Sequence, residues 1–194
     1  MQNNQLKQLI DTSSRIILKV GSSLLINENN NDINYHWLKN FSKEIQSLTD
    51  KKKQIMIVSS GSVALGRKQL NLVKNLSLDE KQAAAAVGQI HLSHAWKEVL
   101  KSFNLESAQI LLAPDDTETR RKHLNARATL LKLLQLNVIP VINENDTVST
   151  DEIKFGDNDR LAARVAQMCE VDLLILFSDA VSYTHLTLPT SNGV

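Results

Sequence analysis

Asn143, Glu144, Asn145, Asp146, Asp157, Asn158 and Asp159 crowd into residues 139 to 160, directly after an apolar run. Amides and carboxylates at that density have two readings. Asn and Asp form turns by bonding their own backbone, which would make the stretch a solvated loop. They also suit a pocket for a small charged molecule, because carboxylates accept from an ammonium and amides orient polar groups. Two further clusters bear on the choice. Gly21, Ser22 and Ser23 follow Lys19, and Ser59, Ser60, Gly61 and Ser62 follow another apolar run. A Gly-Ser loop that leads into a helix presents backbone N–H groups at the positive end of the helix dipole, which favours a carboxylate or phosphate. A lysine inside an apolar run needs either an anionic partner or a route for its ammonium to reach water.

The elements that must position these clusters are legible from hydrophobic patterning. RIILKV (15 to 20), QIMIVSS (54 to 60), SAQILLA (107 to 113), NVIPVIN (137 to 143) and DLLILF (172 to 177) are short apolar runs that predict buried strands. Longer segments at 35 to 49, 78 to 103, 119 to 136 and 158 to 170 separate them. In the last, Leu161, Val165, Met168 and Cys169 fall on one helical face, with Asp157 placed to cap it. Continuous apolar strands alternating with helices predict an α/β fold: a three-layer αβα sandwich with a mainly parallel sheet, both faces covered. Residues 27 to 34 read as at most a polar loop. Ligands of open α/β sheets bind beyond the carboxyl ends of the strands. Every cluster above follows a strand, so one sheet edge would hold an anion cradle and an ammonium site, as an amino-acid substrate requires.

Composition narrows the classes. The chain has 194 residues, 42% hydrophobic and 22% charged, which suits one substantial core. A formal net charge of +1 gives no bulk field for nucleic acid or an anionic membrane. The single cysteine, Cys169, fits a reducing compartment, and no secretory signal or membrane-spanning run is evident, so a cytoplasmic location is expected. Neither a GxxxxGK[ST] loop nor a GxGxxG turn follows any strand, which argues against a P-loop or dinucleotide fold. His91 and His94 have no third ligand in the sequence pattern, and Trp37 and Trp96 read as packing anchors.

IILKVGSSLL (16 to 25), IVSSGSVALGR (57 to 67), AAAVGQ (84 to 89), FNLESAQILL (103 to 112), LNARATL (124 to 130) and VIPVINENDTVSTDEIKFGDND (138 to 159) resemble the glutamate kinases of the amino acid kinase family. The likeness runs from Arg15 to Asp179, with residues 1 to 14 as an N-terminal extension. It implies transfer of the ATP γ-phosphate to the γ-carboxylate of L-glutamate, the first step of proline synthesis, with magnesium carried by ATP and no protein metal ligand.

The resemblance also implies roles for residues. Lys19 and Asp159 would be catalytic, the lysine neutralising the transferring phosphoryl group and the aspartate orienting the lysines. Ser60, Gly61, Asp146 and Asn158 would hold glutamate. Lys19, Gly21, Ser22, Ser178 and Asp179 would contact the nucleotide. Phosphoryl transfer to a carboxylate needs positioning and charge neutralisation, and no general base. Proline as a feedback ligand and a homo-oligomeric parent enzyme are further expectations.

After Asp179 the likeness stops, and AVSYTHLTLPTSNGV (180 to 194) does not match the family. The expectation is a family member truncated after its N-terminal, amino-acid-binding lobe, the tail being a truncated gene, a cloning scar or a short variant. Two alternatives stay open: a glutamate-binding fragment without catalysis, and another amino acid kinase.

Overall fold

The computed structural model describes residues 2–27, 30–73, 75–148 and 157–178. Five strands form one parallel sheet: β1 (Arg15–Val20), β4 (Gln54–Ser59), β5 (Glu106–Leu112), β6 (Val138–Glu144) and β7 (Leu173–Phe177), in the order β5-β6-β4-β1-β7. All five apolar runs of the sequence are strands, shifted by at most a residue or so at their ends. Alternation along β1 divides the core. Ile16, Leu18 and Val20 face helices α3 (Tyr35–Asp50), α4 (Ser62–Gln69) and α5 (Leu78–Lys101), whose inward residues include Phe41, Leu65 and Trp96. Ile17 faces α7 (Arg120–Gln135) and α8 (Asp157–Met168), packing with Leu130, Val165 and Cys169. The architecture is thus a three-layer αβα sandwich, as the patterning predicts.

Local chemistry explains where the helices start and stop. Ser77 caps α5 by accepting from the Glu80 N–H, while the Glu80 carboxylate accepts from the Ser77 N–H at 2.9 Å, closing a capping box. Asn34 caps α3 in the same way, accepting from the Trp37 N–H at 3.1 Å. With only six glycines in the chain, asparagine takes left-handed positions after helices: Asn104 at φ 58° beyond α5 and Asn137 at φ 57° beyond α7.

Several expectations are corrected. SAQILLA is a strand but not a buried one, since β5 forms the sheet edge and Leu111 is exposed. The edge strand β7 is likewise only partly covered, with Leu176 exposed. A continuous apolar run does not distinguish an inner from an outer strand. Residues 27 to 34 are more than a loop: β2 (Ile26–Asn27) and β3 (Asp32–Ile33) pair antiparallel. Sequence reading also passed over α1 (Gln2–Thr12), α2 (Ser22–Leu25), α4 and α6 (Pro114–Glu118), all short or lacking a broad apolar stripe. The α5 alanines pack within the chain against α4. A Cβ on Gly66 would fall 1.7 Å from the Ala84 carbonyl oxygen, and one on Gly88 would fall 1.8 Å from that of Ser62. Among the described residues no helix is long and apolar enough to cross a membrane.

Candidate functional site

β1 carries Lys19 at its C-terminal end, and alternation turns that side chain toward α8. Burial there is nearly complete, at 8% exposure. The ammonium Nζ meets Asp159 Oδ1 at 2.6 Å, so the anionic partner that a buried lysine requires comes from the first turn of α8. Asp159 itself is half exposed. Gly21 follows directly; a Cβ there would lie 3.9 Å from Lys19 Nζ. Its N–H donates to the Phe177 carbonyl at 3.0 Å, which ties the loop to β7 and takes that group out of the expected anion cradle. Ser22 opens α2 beside it, and Ser178 stands exposed just past β7. Asp179 lies outside the described residues, as do 149 to 156 and any cap made by the Asp157 side chain.

The second cluster is held by β4, β6 and two helices. Gly61 leaves β4 at φ +119°, a left-handed conformation that glycine adopts without strain, and so turns the chain abruptly into α4. Ser60 and Ser62 flank that turn. Beyond β6, the Asn145 N–H bonds the Leu112 carbonyl at 2.9 Å, and Asp146 begins a short 3-10 turn that leaves its carboxylate buried. Asn158 arrives from the start of α8.

These side chains bond to one another. Asn158 Nδ2 donates to Ser60 Oγ at 2.8 Å and to Asn143 Oδ1 at 3.0 Å. Asn143, buried to 2% exposure, donates through Nδ2 to Gln89 Oε1 at 2.7 Å and to Ser62 Oγ at 3.4 Å. Ser62 Oγ donates to Asp146 Oδ2 at 3.3 Å. Beneath this layer Trp96 Nε1 donates to Ser59 Oγ at 2.9 Å, anchoring the end of β4 to α5. Buried polar groups are normally satisfied. Asn158 Oδ1 is an exception, buried with no hydrogen-bond partner among the described residues. An unmet acceptor in the same network as a buried carboxylate is suited to an ammonium.

The structure therefore brings Lys19, Gly21, Ser22, Ser60, Gly61, Asp146, Asn158, Asp159 and Ser178 to one edge of the sheet. It adds two partners that sequence reading gave no role, Ser62 and Gln89, and puts Asn143, read only as one of the Asx cluster, at the centre of the network. Asn143 stood among the polar residues after β6, Ser62 among those after β4, and Gln89 ends the quoted AAAVGQ. The signal for Gln89 is its neighbour Gly88, which marks a close helix contact and so places the next polar side chain against β6. Asp146 and Gln89 also line a cavity of about 480 Å³, but Lys19, Ser60 and Asn158 do not, so the polar network defines the site better than the cavity does. His94 lies 3.4 Å from Glu98 on the exposed face of α5.

Residues 14–181 match the amino acid kinase family. The chain is 53% identical over 167 residues to a glutamate 5-kinase of Paramagnetospirillum magneticum, covering 86% of this chain and 45% of that one. It is 55% identical over 179 residues to a glutamate 5-kinase of Rhodopseudomonas palustris, at 92% and 47% coverage. A glutamate 5-kinase of Gluconobacter oxydans is 51% identical over 166 residues, at 85% and 44% coverage. The chain thus spans under half the length of these curated relatives. With the match running over most of its residues, from before β1 to beyond β7, the chain belongs to the amino acid kinase family.

Proposed function

We propose that this chain is the amino-acid-binding part of a glutamate 5-kinase, which transfers the ATP γ-phosphate to the γ-carboxylate of L-glutamate. The observation that carries the reading is the convergence on one sheet edge of two opposite electrostatic provisions. Lys19, paired with Asp159, is a fixed cation at the end of β1. Asp146 and the unmet Asn158 Oδ1 are acceptors at the end of β6 and the start of α8. Opposite provisions of this kind are what a zwitterion with a second carboxylate requires.

In this reading Asp146 and Asn158 take the α-ammonium. The Ser60 hydroxyl, which accepts from Asn158, has its own proton free to turn toward a carboxylate, and the Gly61 N–H stands next to it. A γ-carboxylate oxygen attacks the γ-phosphorus, the bond to the ADP oxygen breaks, and the carboxylate needs no proton removed. What the reaction needs is two anions brought together, and Lys19 offsets their repulsion as charge spreads over the transferring group. Asp159 holds the lysine in place. Gly21, Ser22, Ser178 and Asp179 form the nucleotide side of the proposal. Magnesium carried by the ATP phosphates is part of the proposal and rests on resemblance to the family. When bound it screens phosphate charge. Feedback binding of proline, a homo-oligomeric state and a cytoplasmic location are parts of the same proposal, resting on resemblance to the family.

The test is calorimetric binding of L-glutamate to this chain, with ADP release measured in the protein at the length of its relatives. Glutamate is expected to bind in preference to aspartate and N-acetylglutamate. Asp146→Ala removes a charged acceptor and should weaken binding about 10- to 100-fold, the equivalent of about 1.5–3 kcal/mol. Lys19→Met should spare binding and abolish ADP release. Preference for aspartate or N-acetylglutamate, or wild-type affinity in Asp146→Ala, would overturn the assignment.

A further inference from the structure

The Asn158 amide has two ends, and only one of them suits an ammonium. Which end faces the ligand is decided inside the network. Ionised Asp146 can only accept, so Ser62 Oγ must spend its proton on it and accept from Asn143 Nδ2. Those two contacts are long, at 3.3 and 3.4 Å, and hold the Asn143 amide weakly. They give the amide its direction, and the short contact, Asn143 Nδ2 to Gln89 Oε1 at 2.7 Å, holds it there. With Nδ2 committed there, Asn143 Oδ1 must face Asn158 and accept from its Nδ2. Both Asn158 protons are then spent, on Asn143 and on Ser60, and Oδ1 is left pointing where nothing described meets it.

We infer that Gln89 is a positioning residue that secures the polarity of the site: by holding Asn143 it keeps the Asn158 carbonyl turned toward the ligand, and so favours a substrate that carries an ammonium. This rests on the glutamate reading and extends it to a residue three hydrogen bonds from the ligand. Gln89 can play the part because Gly88 brings the α5 backbone against Ser62, which carries the side chain at the next position up to β6. The consequence is discrimination between L-glutamate and glutarate, which has both carboxylates and no amine.

Gln89→Met removes the acceptor with little change of length; Gln89→Glu keeps an acceptor at the same reach. Calorimetry on the purified chain should find glutamate binding weakened about tenfold in Gln89→Met, the size of one lost hydrogen bond. Glutarate binding should be unchanged there, and Gln89→Glu should behave as wild type toward both. Equal weakening toward glutamate and glutarate would make Gln89 merely structural and overturn the inference. A second readout needs no ligand: side-chain amide hydrogen exchange by NMR. The Asn143 and Asn158 amide protons should exchange slowly in the wild type and in Gln89→Glu, and at least about tenfold faster in Gln89→Met. Unchanged Asn158 exchange in Gln89→Met would overturn the inference, as would its loss in Gln89→Glu. If the wild type binds no glutamate, the substrate reading fails while this exchange result still decides the role of Gln89.

Discussion

Lys19 and Cys169 share one face of the sheet, and their surroundings treat charge in opposite ways. Asp159 reaches in from α8 to meet the lysine ammonium. Among the described residues no ion pair is made to the thiol, which sits fully buried among Ile17, Val165 and Met168. Burial pushes Cys169 up to about 11, with Arg15 and Arg127 pulling the other way. The folded state therefore holds the thiol proton more firmly than the unfolded chain, whose thiol titrates near its ordinary 9.0. Stability from the neutral thiol is fully present below that value and is lost as pH rises from 9.0 to about 11. Urea unfolding of wild type and Cys169→Ala should show the wild-type advantage constant at neutral pH and shrinking across that window. A difference between the two that is independent of pH would mean that the thiol is not desolvated.

At the scale of elements, the crossing of α4 and α5 joins packing to the site. Gly66 and Gly88 let the two backbones touch, and the same crossing sets Ser62 at the start of one helix and Gln89 in the middle of the other. Alanine in a helix is normally favoured over glycine by about 1 kcal/mol. Here the added methyl would strike the Ser62 carbonyl and the Gly66 nitrogen, both backbone, so α4 must move as a body. Gly88→Ala should therefore destabilise by about 1–3 kcal/mol, as overpacking does, and weaken glutamate binding by moving Ser62 and Gln89. A gain in thermal stability would show that the helices have room to separate. The same crossing marks the limit of what the sequence reveals. The strands were legible because buried parallel strands are continuously apolar, and the site edge followed from asking what comes after each strand. Short α4 offers no apolar stripe, since it buries a glycine against a backbone. Gly88 marks Gln89 as lying at a close helix contact, but its partner could not be read, because Asn143 is 54 positions away and only the helix crossing brings them together.

For the whole molecule, the order β5-β6-β4-β1-β7 places the three strands with two neighbours at the centre, and two of these, β1 and β4, carry Lys19 and Ser59 at their ends. β6, the third, leads into Asn143 and Asp146. Functional groups thus hang from the most constrained backbone in the fold, while the edge strands β5 and β7 carry Leu111 and Leu176 exposed to solvent. An edge strand bonds on one side only, so alternate amides point away from the sheet and exchange without global unfolding. Hydrogen exchange should find the slowest amides in Ile16–Val20 and Ile55–Val58. The outward amides of β5 and β7 should exchange at least about tenfold faster, the ratio that about 1.4 kcal/mol of opening free energy gives. Uniform protection of β5 would mean that its edge is covered, as it would be if copies of the chain paired there. Raising the protein concentration separates the cases, because protection from self-association grows with concentration and protection intrinsic to the fold does not.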